Sequence, residues 1–466
     1  MLARGFQGRN VVVFGLSRTG LAVARALALG GARVVAWDDQ LAAREKAAAL
    51  GIPLDDPSRV VWGEVSALVL SPGVPLTHPQ PHWVVDLARA AGTPVIGDIE
   101  VLGRTLSLGH APRHVVGVTG TNGKSTTTAL IGHLLAGAYG LDHVAVAGNI
   151  GRAVFDLDHV PDEALVLELS SYQLDLVKSF RPTIGAWLNI TPDHIDRHGD
   201  IDGYVRAKKR MFAAMTDKDM AVVGVDDTTS AGVATELEKR KGGPKVVRVT
   251  VGTRARKGIS CVDGLIHENG KAAADVRDVP SLRGAHNWQN AAVAFAVARA
   301  AGVSATDIAA RIGSFPGLAH RMEEIAVVDG VRFVNDSKAT NADAAAKSLA
   351  AFKRIYWIAG GRAKEGGIAP LKPLFPNVAR AYLIGEAAPQ FAQTLGSEVP
   401  HTLAGTLERA VARAYADARA DGSGDATILL APACASFDQF SDYEARGAAF
   451  RALALGIAHE KNGAAA

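Results

Sequence analysis

Gly117-Val-Thr-Gly-Thr-Asn-Gly-Lys-Ser-Thr126 lies about a quarter of the way along this chain of 466 residues. It follows the apolar pair Val115-Val116 and runs into Thr127-Thr128-Ala129-Leu130-Ile131, which reads as the start of a helix. A strand, a glycine-rich loop ending in Gly-Lys-Ser and a helix together make a cradle for a polyphosphate. Glycines let backbone N–H groups close on the phosphates, and the helix N-terminus adds partial positive charge. Lys124 supplies a full charge, and the Ser125 hydroxyl is placed to reach a magnesium ion. Gly117 and Gly123 are six positions apart, one more than the common pattern, so the loop reads as a variant of it.

Around this loop, the length calls for roughly two to four domains. With 48% hydrophobic and 21% charged residues, the composition is that of a soluble globular protein. Fifty basic and 47 acidic residues nearly balance, which argues against a dedicated nucleic-acid surface but leaves room for a local basic pocket. Cys261 and Cys434 are far apart and form no metal or redox motif; they read as reduced thiols. The first apolar run, Val11-Val12-Val13-Phe14, is much shorter than a signal-peptide core and stops at Gly15. The Ala-rich segment 291–301 is interrupted by Arg299 and reads as a buried helix. A cytoplasmic enzyme without a transmembrane segment is expected.

The first hundred residues alternate short β-branched runs with Ala/Leu-rich helical stretches. Strands are expected at Asn10–Phe14, Arg33–Trp37, 67–70 and 94–96, with a helix over 21–29. Asp38 comes just after the second strand, where nucleotide-binding folds place a ribose-binding acid. Gly15-Leu-Ser-Arg-Thr-Gly20 carries Ser17 where a second glycine belongs, so it reads equally as a tight turn or as a ligand loop. A second block opens near residue 112, with strands over 164–169, 185–190 and 221–225, a solvated surface turn over 236–245 and a closing helix over 287–300. A third block begins near Phe315, with strands at Val331–Asn335, 355–359, 381–384 and 426–430. The last residues, 460–466, read as frayed. The expected fold is α/β with three domains: a Rossmann-like N-terminal domain over 1–111, a central P-loop mononucleotide-binding domain over 112–314 and a Rossmann-like C-terminal domain over 315–466.

Glu168 ends the apolar run from Leu165, and a carboxylate buried at a strand end is costly unless it meets a cation. Beside a phosphate loop it reads as a magnesium ligand; the plainer alternative is a structural ion pair. The turn after the next strand offers Asp193, His194, Asp196 and His198. Contact of one of them with a second magnesium ion fits better than zinc, because the phosphate site already needs hard oxygen chemistry. On periodicity alone, Lys208 and Lys209 lie on a solvated basic helix face. Asn335-Asp-Ser-Lys-Ala-Thr-Asn341, Gly360-Gly361-Arg-Ala-Lys364 and Pro432-Ala-Cys-Ala-Ser436-Phe-Asp-Gln439 each follow a strand, where ligands gather in open α/β sheets. Arg321 stands ahead of the first of these and is suited to a phosphate. Cys434 reads as packing.

Thr119-Gly-Thr-Asn-Gly-Lys-Ser-Thr126 resembles the loop of the ATP-dependent Mur ligases and of the folylpolyglutamate synthases, which join an amino acid to a carboxylate. Ser71-Pro-Gly73, Gly97-Asp-Ile-Glu100, Gly148-Asn-Ile-Gly151, Glu168-Leu-Ser-Ser171, Asp193-His194, Gly284-Ala-His-Asn287, Asn335 to Asn341 and Pro432 to Gln439 look like the Mur ligase branch that adds D-glutamate. They span nearly the whole chain in family order.

The resemblance implies that Arg18, Thr19, Asp38, Ser71, Gly73 and Asn149 contact the UDP-linked substrate, UDP-N-acetylmuramoyl-L-alanine. It implies ATP binding by Gly120, Thr121, Asn122, Gly123, Lys124, Ser125 and Thr126, with Asn287, Arg321 and Asp336. Ser125, Glu168, His194 and Lys208, the last as a carbamate, resemble ligands of two Mg2+ ions. Lys338, Thr340, Lys364, Ser436, Phe437 and Tyr443 match positions that hold D-glutamate. Lys124, His194 and Lys208 are the catalytic expectations, in a monomer. The chemistry implied is an acyl phosphate made with ATP and then attacked by the D-glutamate amine, in domains that close to exclude water.

Two readings compete from other classes. A nicotinamide dehydrogenase accounts for the N-terminal βαβ unit but leaves the phosphate loop and the third block unexplained. A nucleotide switch without turnover accounts for the loop alone. Within the resemblance, another Mur ligase or a folate enzyme is the nearest rival.

Overall fold

The structure, a computed structural model, describes residues 1–109, 111–363, 366–422 and 424–463, with side chains up to residue 460. Its first sheet contains β1 (Asn10–Phe14), β2 (Arg33–Trp37), β3 (Val65–Leu70) and β4 (Val95–Ile96), in the order β2-β1-β3-β4 with all pairings parallel. The valine run of β1 is buried on both faces. Val11 and Val13 enter one core cluster and Val12 and Phe14 another, following the two-residue period of a strand. The chain turns to opposite sides of β1 on reaching β2 and β3, so a crevice opens beyond their carboxyl ends.

The second sheet contains β5 (His114–Thr119), β6 (Val144–Gly148), β7 (Ala164–Glu168), β8 (Ile184–Trp187), β9 (Met220–Gly224), β10 (Lys245–Val251), β11 (Ile259–Val262), β12 (Leu265–Glu268) and β13 (Lys271–Asp275). Their order is β13-β12-β11-β10-β9-β8-β5-β7-β6, parallel except for the β11-β12-β13 edge. The order reverses at β5, where β7 lies on one side and β8 on the other, so the phosphate loop leaves the sheet at its switch point. The Ala-rich helix Ala285–Ala300 is buried along Asn290–Ala298, as expected.

The third sheet contains β14 (Glu323–Val328), β15 (Val331–Asn335), β16 (Ile355–Gly360), β17 (Val378–Ile384), β18 (His401–Gly405) and β19 (Thr427–Leu430), in the order β14-β15-β19-β16-β17-β18. Only the β14-β15 hairpin is antiparallel among these pairings. Ile355, Trp357 and Ala359 face one core and Tyr356 and Ile358 the other. This alternation needs helices on both faces, which is why a near-continuous apolar run sits in this strand.

The chain forms two compact units: Met1–Val276 with Asn287–Gly313, and Arg277–His286 with the residues from Ser314 onward. The first unit carries the first two sheets. Between them Glu100, fully buried, accepts the backbone N–H groups of Lys178, Ser179 and Phe180 at 2.9, 2.7 and 3.2 Å. Among the described residues, no helix is long and apolar enough to cross a membrane.

Three expectations need correcting. Residues 236–239 are not a turn but the end of the helix Thr228–Lys239, whose Val233, Ala234 and Leu237 pack inward, and Lys245 already belongs to β10. Gly117 is not part of the loop: it lies within β5, paired with Leu167 and Gly185. A Cβ there would come within 3.0 Å of Leu169 Cδ1 and 3.1 Å of Met211 Sδ, so those side chains would have to give way. Residues 460–463 belong to the helix Tyr443–Gly463; 464–466 lie outside the described residues.

Candidate active site

The loop proper runs from Gly120 to Gly123. Both have positive φ, at 155° and 83°, in the region that favours glycine. The strand end after β8 holds the loop in place: Asn189 O accepts from Thr121 N at 2.9 Å, and Asn189 Oδ1 accepts from Asn122 N at 2.9 Å. Behind it the helix Lys124–Tyr139 begins, with Gly123 at its N-cap. Thr127 Oγ1 donates to Asn290 Oδ1 at 3.2 Å, and Asn290 Nδ2 to Asn287 Oδ1 at 3.0 Å, which ties the expected nucleotide residue Asn287 to this helix. Lys124 Nζ bends back onto Gly120 O and Thr121 O at 3.1 and 2.8 Å, and Ser125 is buried beside it.

Glu168 ends β7 and is 2% exposed. Its Oε1 accepts from Asn149 Nδ2 at 2.9 Å, while its Oε2 is buried without a hydrogen-bond partner. An ionised oxygen in that state is costly unless a cation neutralises it, which fits a bound metal better than a structural ion pair.

Lys208 reverses the reading drawn from periodicity. It sits in the last turn of the helix Ile201–Lys209 and is 1% exposed. The Nζ donates to Gly120 O at 2.8 Å and Thr119 Oγ1 at 3.3 Å, and lies 4.7 Å from the centre of the Tyr204 ring. Burial above all, and then the neighbouring Lys124 charge, push its pKa well below the usual lysine range. Its neighbour Lys209 instead pairs with Glu236 near the surface.

His194 adopts a left-handed backbone, φ 54°, and its Nδ1 lies 2.8 Å from Tyr172 Oη. Asp193 Oδ2 is 3.4 Å from its Nε2. His198 is turned inward to Ser171 Oγ at 3.0 Å, and Asp196 is exposed. Among the described residues no three His, Cys, Asp or Glu groups gather as a metal centre.

At the first sheet's crevice, Ser71 Oγ donates to Gly15 O at 2.6 Å, joining the loops after β1 and β3. Asp38 accepts from Leu16 N at 2.6 Å and Gln40 N at 2.8 Å, so its carboxylate organises both strand ends. Arg18, beside Thr19 on the first turn of the helix Arg18–Leu29, reaches Gly151 O and lies 3.7 Å from Asp156. Gly73 accepts from Arg197 through its carbonyl at 2.9 Å.

In the second unit, Asp336 accepts from Met322 N at 3.3 Å and from Ser348 Oγ; burial raises its pKa to about 6. Arg321 precedes it in the chain, and its charge acts to lower that value. Lys338 Nζ lies 3.7 Å from the centre of the Tyr443 ring. Thr340 N donates to Lys338 O at 2.8 Å. Ser436 is buried and Phe437 is 65% exposed. Lys364 lies outside the described residues. Cys434 is buried with a pKa raised to about 12, as a packing thiol requires.

Sequence reasoning passed over Arg446. It is 1% exposed, and its Nε donates to Ser337 Oγ at 3.0 Å while Nη2 donates to Ser337 O at 2.9 Å and Cys434 O at 3.2 Å. It thereby joins two of the strand-end loops singled out above. Nothing in its helical neighbourhood marks it, because Ser337 is 109 residues earlier and Cys434, 12 residues earlier, lies on a separate strand-end loop. Tyr172, Arg197 and Tyr204 were also missed; an aromatic or arginine within a few positions of each expected ligand was the available signal.

The chain matches the Mur ligase middle domain over residues 118–298, and the family model described as Mur ligase, glutamate ligase domain, over 320–434. It is 52% identical over 463 residues to the UDP-N-acetylmuramoylalanine--D-glutamate ligase of Phenylobacterium zucineum, covering 97% of each chain. The protein of the same name from Caulobacter vibrioides shows 52% identity with the same coverage, and that of Mesorhizobium japonicum 50% over 466 residues, covering 98% of this chain and 97% of the other. Among solved structures, the UDP-N-acetylmuramate-alanine ligase of Thermotoga maritima has a TM-score of 0.56 at 16% identity, covering 96% of this chain and 99% of that one. A pseudomurein peptide ligase type C from Methanothermus fervidus has a TM-score of 0.54 at 17% identity, covering 97% and 100%. These two structures speak to the fold alone.

Proposed function

The chain belongs to the Mur ligase family, and on that premise we propose that it joins D-glutamate to UDP-N-acetylmuramoyl-L-alanine with cleavage of ATP, in the synthesis of a peptidoglycan precursor. Likeness along the full length to D-glutamate ligases is the observation that carries this reading. We read the three sheets as domains over 1–111, 112–314 and 315–466, in a cytoplasmic monomer.

A carboxylate is a poor acylating agent because it has no leaving group. Its oxygen attacks the γ-phosphorus of ATP, the bond to the bridging oxygen breaks, and an acyl phosphate and ADP result. Lys124 exchanges its carbonyl partners for phosphate oxygens, and Gly120 to Thr126 bring N–H groups and the helix N-terminus to bear on the same charge. Asn287, Arg321 and Asp336 complete the nucleotide contacts. The D-glutamate amine then attacks the acyl carbon, and the tetrahedral intermediate expels phosphate while nitrogen gives up a proton. Lys338, Thr340, Ser436, Phe437 and Tyr443, with Lys364, hold D-glutamate; Arg18, Thr19, Asp38, Ser71, Gly73 and Asn149 hold the UDP-linked substrate.

Glu168 through its unpartnered Oε2, Ser125, His194 and Lys208 are the residues suited to two magnesium ions. Such ions, when bound, supply neutralisation of the phosphoryl charge. Lowering a lysine's pKa by burial favours its unprotonated form, which is a nucleophile toward carbon dioxide: the nitrogen bonds the carbon and releases a proton, and the product carries a carboxylate-like end.

Phosphate release by the purified protein with the UDP-linked substrate, ATP and magnesium tests the reading. D-glutamate is expected to drive turnover, while L-glutamate, meso-diaminopimelate and L-lysine give little. No release with D-glutamate overturns it.

A further inference from the structure

Arg197 has no part in the chemistry just described, yet it touches two of its ends. Its guanidinium donates to three consecutive carbonyls of the loop after β3: Nη1 to Gly73 O at 2.9 Å, and Nη2 to Pro72 O at 3.2 Å and Val74 O at 3.1 Å. The carbon of the same guanidinium stacks 4.6 Å from the centre of the Tyr172 ring. Tyr172 Oη in turn meets His194 Nδ1 at 2.8 Å, with ring centres 4.9 Å apart. Among the described residues Arg197 forms no ion pair, so its charge is spent on the loop and the ring.

We propose that Arg197 is a positioning residue of this reaction, setting the Ser71–Val74 substrate loop and the imidazole of His194 with a single side chain. The proposal rests on the reading of Ser71 and Gly73 as contacts of the UDP-linked substrate and of His194 as a magnesium-side group.

Two physical points support it. In a trans peptide the C=O and the following N–H point in opposite directions. The Pro72 carbonyl, turned onto Arg197, therefore turns the Gly73 N–H away from the cation, to where an acceptor-rich nucleotide can meet it. The loop's own bonds, Ser71 N to Phe14 O at 2.9 Å and Val74 N to Ser71 O at 3.0 Å, leave that peptide plane unset. On the other side, a planar guanidinium lying over an aromatic face restrains the ring, which an ammonium on a flexible stem does far less well. The ring then fixes where its hydroxyl meets His194. The phosphate loop is anchored separately, by Asn189, so the loop's own hold on ATP does not run through Arg197.

The test compares wild type, Arg197→Ala and Arg197→Lys. In steady-state phosphate release, Arg197→Ala is expected to raise KM for the UDP-linked substrate about tenfold and to lower kcat, with KM for ATP changed less than about twofold. Free guanidinium is expected to recover part of the loss in Arg197→Ala, and Arg197→Lys to retain an intermediate activity. Equal rises in both KM values, or an unchanged KM for the UDP-linked substrate, overturn the proposal. Hydrogen exchange of the ligand-free proteins decides the clamp independently of turnover. In Arg197→Lys, amides of residues 71–77 are expected to exchange faster while those of 120–127 keep their wild-type rate; unchanged exchange at 71–77 overturns the proposal. A wild type that exchanges as expected but releases no phosphate faults the assigned reaction and not the clamp.

Discussion

The side-chain nitrogens of Lys208 and Lys124 converge on one atom, the carbonyl oxygen of Gly120, at 2.8 and 3.1 Å. Two ammonium groups sharing one acceptor in a buried place repel each other, and the more deeply buried of them, Lys208, is the one driven toward neutrality. If its amine takes up carbon dioxide, the repulsion becomes an attraction to Lys124. Lys208→Ala is therefore expected to lose on the order of a hundredfold or more in turnover. Acetate or formate, small enough to enter the space left behind, should restore part of that activity, and Lys208→Arg should stay inactive with or without them. A phosphate-release assay across carboxylate concentrations reads this directly; absence of any recovery in Lys208→Ala contradicts the carbamate.

Glu168 offers a contrast between stability and activity. Glu168→Gln keeps an oxygen for Asn149 Nδ2 and removes the charge from the unpartnered side. Turnover at saturating ATP is expected to fall on the order of a hundredfold, with the magnesium requirement moved to higher concentration. The melting temperature of the free protein should not fall, since no partner is lost and a buried charge is gone. A drop of several degrees would instead mark Glu168 as half of a structural ion pair.

Asp98 links pH to folding in the first unit. It is buried, accepts from Gln173 Nε2 at 3.1 Å, and burial raises its pKa from 3.8 to about 6. The folded state therefore holds this proton more tightly than the unfolded chain does. Between pH 3.8 and about 6 the native state binds more proton, so this group's contribution to stability declines as pH rises through that window and is constant above it. The full difference corresponds to roughly 3 kcal/mol as an upper limit. Asp98→Asn should flatten the pH dependence of denaturant midpoints between pH 4 and 6 and leave the protein at least as stable at pH 7. A slope equal to wild type across that window would rule the carboxyl out as its source.

Arg446 carries a prediction for the second unit. It is a buried cation whose acceptors are Ser337 and the Cys434 carbonyl, and burial lowers its pKa to about 10. Arg446→Met strands those acceptors and should cost about 3 kcal/mol in chemical denaturation. Arg446→Lys keeps the charge without the planar fork, so KM for D-glutamate should rise about tenfold with a smaller change for ATP. Equal effects on both substrates would mean that the two loops do not depend on this link.

The phosphate loop, the strand-end acids and the amide-rich turns were legible from residue order because each is a local pattern: a strand, a turn chemistry, then a helix. The spacing that made the loop look like a variant has a tertiary cause. Gly117 is a strand glycine, with Leu169 and Met211 packed close where a Cβ would stand, and it lies outside the turn. The surface turn expected at 236–245 failed for the opposite reason: its charged residues follow Val233, Ala234 and Leu237, and one buried helical stripe outweighs a polar run.

Residue order by itself determined the α/β class, the strand-to-loop junctions and the resemblance that names the reaction, since all of these depend on neighbours in the chain. It did not determine that Lys208 is buried and Lys209 is not, that Glu168 has one oxygen without a partner, or that Arg197 and Arg446 bind loops far away in sequence. Those are properties of a dielectric environment and of partners brought together only when sheets and helices pack. A lysine's charge depends on what surrounds it, and only the tertiary structure supplies the surroundings.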